Sequence, residues 1–265
     1  YLNNETTSAT ADIADGSITT AKLAADAVTA AKLADDSVVT ANITDGAITQ
    51  VKTTGVGRGK NLLINGNMSV AQRGNTSGAQ NFAHDGQTYH YGPVDRYRWG
   101  VQSYDTLDGT VTRVTDVPSG TRFERSMKWT TGTAEVDATQ ANEYHYCAQK
   151  IEAINCQSLK YGTADAQQST LQFYVKSSVT GTFACGLYKP DSTARIHNKT
   201  YTISAANTWE KKTITFAADT AGGGITNDFG EGLWIVWHLG VGNDHQGSSS
   251  ASGWQNYSSP YWAHG

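Results

Sequence analysis

The stretch FAHDGQTYHYG at 82–92 places His84, Asp85 and His90 close together, three side chains with the lone pairs that metal ligation or proton transfer requires. Their spacing matches no known metal signature, in which ligands recur at fixed intervals because one ion must be reached by all of them. A solvated pair of loop histidines is therefore the preferred reading. Carboxylates offer a second chemistry. Asp35-Asp36 lie in a repetitive segment too exposed for the pKa tuning that glycoside hydrolysis needs. Asp219, Asp228, Glu231 and Asp244 gather along 219–244, beside strands, where sugar hydrolysis or calcium binding could sit. Hydrolysis depends on the separation of two carboxyl groups, which spacing along a chain does not set. The sequence has no Gly-x-Ser-x-Gly elbow, no glycine-rich phosphate loop and no zinc-hydrolase signature. The expectation is a protein without enzymatic activity, metal or cofactor.

Aromatic side chains make the stronger case. The segment SGWQNYSSPYWAHG at 252–265 carries Trp254, Tyr257, Tyr261 and Trp262 among Ser, Gly and Asn, and Tyr89 and Tyr91 sit in a similarly polar stretch. Sugar rings present C–H faces that lie against aromatic faces, while neighbouring Asn, Asp and Gln bind the hydroxyls. An amphipathic aromatic gives large contact area at small entropic cost. These six residues are the candidate glycan contacts. The competing role at each is to cap the core or to pack between protomers. Trp209, Trp234 and Trp237 fall in strand-like runs and read as core.

The elements that must position them alternate at period two. Leu171, Phe173 and Val175 interleave with Gln172, Tyr174 and Lys176, and Leu233, Ile235, Trp237 and Leu239 form one face of another run. Phe183, Cys185 and Leu187, then Ile214 and Phe216, repeat the pattern, and further strands are expected at 94–101, 110–115, 122–130 and 143–151. Turn-rich stretches such as KPDST and DTAGGG separate them. Short alternating strands between Gly/Asp/Ser turns predict an antiparallel, jelly-roll-like β-sandwich over residues 61–265.

The first 54 residues follow another grammar. They divide into fives (GSITT, AKLAA, DAVTA, AKLAD, DSVVT, ANITD), with Ile13, Ile18, Leu23, Val28, Leu33, Val38, Ile43 and Ile48 one per pentad. Residues five apart on a helix lie about 140° apart, so no stripe forms; on a strand an odd spacing sends them to opposite faces. The pentads alternate in type, so the unit is ten residues, a repeat too small to bury its own apolar side chains. Three parallel chains around a shared axis would shelter them, and a homotrimeric stalk is the reading adopted over a two-coil pentapeptide solenoid or a disordered tether. The pattern stops at Thr53, and the glycines at 55, 57 and 59 make 55–60 a joint. The predicted class is all-β, a fibrous stalk followed by a sandwich head.

Bulk properties exclude other roles. Charged residues are 17% of the chain, against roughly 25% in an average globular protein. The net charge of −4 gives no electrostatic footprint for nucleic acid. No run approaches the roughly 20 apolar residues that cross a bilayer, so no membrane insertion is expected. The chain opens on Tyr1 rather than Met and reads as part of a longer polypeptide. Cys147, Cys156 and Cys185 have no metal spacing and read as buried thiols, with one disulfide left open.

NLLINGNMSVAQRG at 61–74 and YGPVDRYRWG at 91–100 together resemble a module at the C-terminal ends of bacteriophage tail-fibre proteins. Asn65, Gly66, Met68, Gln72, Arg73 and Gly74 match its first element; Asp95, Arg96 and Trp99 match its second, with Tyr97 where a tryptophan usually follows the arginine. The decapeptide repeats are similar to the shafts of such fibres. The resemblance implies a trimeric virion fibre, assembled in the host bacterial cytoplasm, joined to other phage proteins through its N-terminal side and meeting a host surface glycan with its head. A capsid decoration fibre is the alternative, and a polysaccharide depolymerase a third. From the residues themselves, Asn65-Gly66 is a tight-turn signal, Met68 and Val70 share one strand face toward the core, and Arg73, Asp95 and Arg96 form a structural clamp.

Overall fold

The computed structural model describes residues 14, 16–25, 27–35, 37–44, 61–72, 80–82, 86–103, 109–132, 142–247 and 253–258. The chain divides into two units, Tyr1–Lys60 and Asn61–Gly265.

In the first unit the described decapeptides each make two tight turns. Amides of Ser17, Ala27 and Ser37 donate to the carbonyls of Ala14, Ala24 and Ala34; those of Lys22, Lys32 and Asn42 donate to Thr19, Thr29 and Val39. The second set falls in the 3₁₀ segments Thr20–Lys22, Ala30–Lys32 and Thr40–Asn42. A turn every five residues is why the aliphatic spacing fits neither a helix nor a strand. Lys22 and Lys32 reach back with their ammonium groups to the carbonyls of Ser17 and Ala27, at 2.6 and 2.9 Å. Ile18, Leu23, Val28, Leu33, Val38 and Ile43 are 37–54% exposed in the single chain. Ile13 and Ile48 lie outside the described residues.

The second unit is an antiparallel β-sandwich. Its strands are β1 (Gln80–Phe82), β2 (Gly86–Tyr91), β3 (Tyr97–Ser103), β4 (Gly109–Val114), β5 (Ser126–Thr131), β6 (Tyr144–Glu152), β7 (Ser169–Val175), β8 (Gly181–Lys189), β9 (Arg195–Ile203), β10 (Glu210–Phe216), β11 (Glu231–Val241) and β12 (Gln255–Asn256). Seven form one sheet in the order β12-β9-β8-β11-β6-β3-β2; β10-β7 and β1-β4-β5 form two smaller sheets. Directly opposed residues share a face, and the register aligns Trp99, Cys147, Trp237 and Cys185 in one row across the large sheet. That face is the covered one. Leu171, Ile214 and Phe216 of β7 and β10 pack with Ile151, Cys185, Leu187, Leu233 and Ile235. Val111, Met127 and Trp129 of β4 and β5 pack with Trp99, Val101 and Cys147.

Buried ions fix one end of the sandwich. Asp219 is 1% exposed and accepts from Arg195 Nε at 2.9 Å, while the fully buried Lys189 donates to the carbonyls of Gly222 and Gly223 and lies 3.5 Å from Asp219. Arg195 also reaches Asn256 and the carbonyl of Trp254, tying the final segment to β9. The three cysteines are buried and none is in a disulfide among the described residues.

Three sequence expectations change. The segment 82–92, read as a loop, contributes β2, which pairs with β3 from Gly86 to Tyr91. The nine-residue β9 was not anticipated, since Arg195, His197 and Lys199 interrupt its apolar alternation. Residues 61–72 form no strand: Asn65 takes a positive φ of 57° and its side-chain amide bonds Val70 and the carbonyl of Asp95. Met68 still packs toward the second core cluster, but Val70 is 44% exposed.

Candidate functional site

The face of the seven-stranded sheet opposite the covered one is lined by aromatic residues at alternate positions. Tyr144 and Tyr146 of β6, Tyr188 of β8, Trp234 of β11 and Arg98 of β3 project there, joined at one edge by Tyr89 and Tyr91 of β2. Their registers require it, because Tyr89 stands opposite Gly100, which stands opposite Tyr146, and Trp234 stands between Lys150 and Tyr188. Gly100 makes room for the floor: a Cβ there would lie 2.6 Å from the Tyr146 ring. Beyond the strands, His245 of the 3₁₀ turn Asn243–His245 and Tyr257 close the ends. Tyr257 is anchored by its amide, which donates to Ala194 O at 2.8 Å.

The result is an open groove of about 380 Å³ lined by Tyr89, Arg98, Gln102, Tyr144, Tyr146, Tyr188, Trp234, His245 and Tyr257. Its rings brace one another. Tyr188 meets Trp234 edge-on at 5.4 Å and Tyr257 at 5.1 Å, and Tyr144 meets His245 at 5.2 Å. The Tyr89 and Tyr144 hydroxyls share a hydrogen bond. Arg98 lies 4.1 Å over the Tyr89 ring and 5.6 Å from that of Trp234. Lys150 sits 3.8 Å over Trp234 and pairs with Glu231, whose other oxygen accepts from Trp234 Nε1 at 2.9 Å. Trp234 is thereby locked in orientation by three neighbours.

The groove's charge state follows from burial. Desolvation raises the phenols of Tyr146, Tyr188 and Tyr257 above the ordinary tyrosine value, so they stay neutral hydroxyls. It also lowers Lys150, against which the hydrogen bond and charge of Glu231 act. Flat rings with fixed hydroxyls and a cation suit the C–H faces and polar edges of sugars.

The residues singled out from the sequence divide. Tyr89, Tyr91 and Tyr257 are 37, 50 and 39% exposed, and Tyr89 and Tyr257 line the groove. Tyr89 and Tyr91 stand on a strand rather than in the polar loop expected. Trp254 is elsewhere: it is 8% exposed within the main core, stacks edge-on with Tyr161 at 5.2 Å, and its indole N–H donates to Ala217 O at 2.8 Å. It fills the capping role. Tyr261, Trp262, Arg73, His84 and Asp85 lie outside the described residues.

His90 opposes Trp99 and so shares the face away from the groove. Asp95 accepts from the Gln72 amide at 3.0 Å, and its own amide donates to Val70 O, fastening 61–72 to the β2–β3 connection. Arg96 instead pairs with Glu152 at the end of β6, at 2.5 Å. The acidic run disperses: Asp219 is in the buried ion cluster, Asp228 accepts from the Gly230 amide, Glu231 holds Lys150, and Asp244 sits in the 3₁₀ turn. Among the described residues no group of three or more His, Cys, Asp or Glu could hold a metal ion, and no helix is long and apolar enough to cross a membrane.

Arg98, Tyr144, Tyr146, Tyr188, Trp234 and His245 were not anticipated. The signal was there in β11: once Leu233, Ile235 and Trp237 take the core face, Trp234 must take the other.

No family model and no curated protein matches the chain. Among solved structures, it overlays on the enzymatically active domain of bacteriophage CBA120 tailspike protein 4 at 18% identity and a TM-score of 0.38, over 69% of this chain and 20% of that one. It also overlays on a CBM4 chain at 14% identity and a TM-score of 0.31, over 67% of this chain and 88% of that one. The chain thus spans about one fifth of the tailspike chain.

Proposed function

We propose that the protein is a bacteriophage tail-fibre segment whose sandwich head attaches to a host cell-surface glycan through the aromatic groove, without cleaving it. The groove carries the reading. A sheet face that no second sheet packs against normally bears polar residues, yet among the described residues this one aligns five tyrosines and a tryptophan with an arginine, and Tyr257 joins them at one end, an arrangement suited to stacking sugar rings. The tail-fibre resemblance of 61–74 and 91–100 supports a virion location. Half-exposed aliphatics at every fifth position of the repeats support a homotrimeric stalk, in which two further copies of the chain would cover them. Three modest sites on one fibre, and several fibres on one particle, would combine into firm attachment.

Incubating the full chain with capsule or lipopolysaccharide of candidate hosts tests the reading. Saturable binding without oligosaccharide release is the expected result. Release makes the protein a depolymerase, and neither binding nor release leaves a decoration fibre.

A further inference from the structure

We propose that the glycan is acidic, and that Arg98 is the residue that reads its anionic group. The inference rests on the groove being the glycan site and adds the chemical class of ligand. Arg98 is half-buried in the groove with its guanidinium between two rings, 4.1 Å over Tyr89 and 5.6 Å from Trp234. Ring packing of this kind holds the planar group in one orientation while its N–H edge stays available for a carboxylate or phosphate. Among the described residues no carboxylate pairs with Arg98.

The local carboxylate is already committed. Glu231 gives one oxygen to Lys150 at 2.5 Å and the other to Trp234 Nε1 at 2.9 Å. Among the described residues lining the groove Arg98 is the one Lys, Arg, Asp or Glu, and the Lys150–Glu231 pair beside it is neutral, in a chain whose net charge is −4. A neutral glycan needs stacking and hydroxyl partners, which the tyrosines supply, and does not neutralise a half-buried guanidinium. An anion on a sugar does: a uronate carboxyl or a polyol phosphate would meet the N–H edge of Arg98 while the adjacent ring stacks on Trp234 or Tyr188. Exclusion of water by the surrounding rings lowers the local dielectric and makes that contact stronger than the same pair on an open surface.

The test uses the full chain, the Arg98→Gln variant and calorimetric titration with matched probes. These are galacturonate, mannuronate–guluronate and sialate hexasaccharides, each beside its carboxyl-reduced form, and a glycerol-phosphate oligomer beside glycerol. Charge-assisted hydrogen bonds predict that the wild type prefers an acidic probe over its neutral form by about tenfold or more. The preference should shrink with added salt and vanish in Arg98→Gln, so that the acidic probe and its neutral form bind the variant alike. A carboxylate arm or the phosphate arm showing this pattern identifies which oxyanion is read. A carboxyl-reduced probe that binds the wild type as tightly as its acidic parent overturns the inference and leaves the groove as a neutral-glycan site. Failure of every probe to bind overturns both.

Discussion

Acidification from pH 7 to pH 5 should destabilise the sandwich unit steeply, because it buries three histidines as neutral rings. His145, His197 and His238 are 5, 1 and 3% exposed. Burial holds their pKa values down at about 3, 4 and 3, with Lys199 adding to the effect at His197 and His245 at His238. His145 packs against the rings of Trp99 and Trp129, and His197 meets Phe216 and Trp254 edge-on at 5.3 and 5.7 Å. A base whose folded pKa lies below its unfolded value takes up a proton on unfolding. Its contribution is therefore complete above the unfolded value near 6.5 and is lost as pH falls toward the folded value. Between pH 7 and pH 5 each unfolded imidazole gains about 2 kcal/mol by protonation while the native ring stays neutral. Three rings give a loss of about 6 kcal/mol, comparable to the whole stability of about 5–15 kcal/mol typical of a domain.

The window separates histidines from carboxylates. Asp116, Glu152 and Glu210 are held low chiefly by side-chain hydrogen bonds from Lys176, Arg96 and Lys212, and their contribution is lost only below their ordinary values of 3.8, 4.5 and 4.5. Guanidinium unfolding followed by tryptophan fluorescence is the assay, since all seven tryptophans lie between 99 and 262 and the repeats are silent. The midpoint should fall markedly at pH 5. In His197→Phe the pH-dependent loss should be smaller by about 2 kcal/mol. A midpoint unchanged between the two pH values, or a variant that tracks the wild type, would refute the reasoning.

Asp219→Ala should cost about 3–5 kcal/mol, because it leaves Lys189 and Arg195 charged at a buried site without their carboxylate; the same fluorescence titration measures it. Trp234→Ala should weaken glycan binding at least about tenfold by removing a ring that Lys150, Glu231 and Tyr188 hold in place; titration with the host polysaccharide checks it, and an unchanged affinity moves the site elsewhere. Leu23→Asp combined with Leu33→Asp should turn the proposed trimer into a monomer in sedimentation, since like charges would meet at its shared axis.

The sequence and the structure agree where side-chain period alone decides the outcome. The alternation through Leu171–Val175 and Leu233–Leu239 is legible because one face is buried, and the structure places β7 and β11 there. Period fails where a strand is buried on both faces. In β6 every residue from Tyr144 to Gln149 is buried, so the alternation that would have separated core from groove is absent. It fails also for Trp254, whose Ser/Gly/Asn surroundings look exposed, although Arg195 and Ala217 pull its backbone and indole into the core. Local composition reports what a residue's chain neighbours do; neither contact is local in sequence.

The same logic explains why the groove sits on a sheet rather than on loops. Three central strands of the large sheet, β6, β11 and β8, are pinned on their other face by the two smaller sheets, so the rings of Tyr144, Tyr146, Trp234 and Tyr188 project from backbone that packing fixes on one side and hydrogen bonds fix on both edges. Loops contribute only the ends, His245 and Tyr257. Binding then orders few side chains, which lowers the entropic cost of each contact. In the proposed fibre such a site gains from repetition more than from adaptability: a rigid, modest site present once per copy of the chain would suit a repeating polymer, because the polymer too presents the same unit at regular intervals.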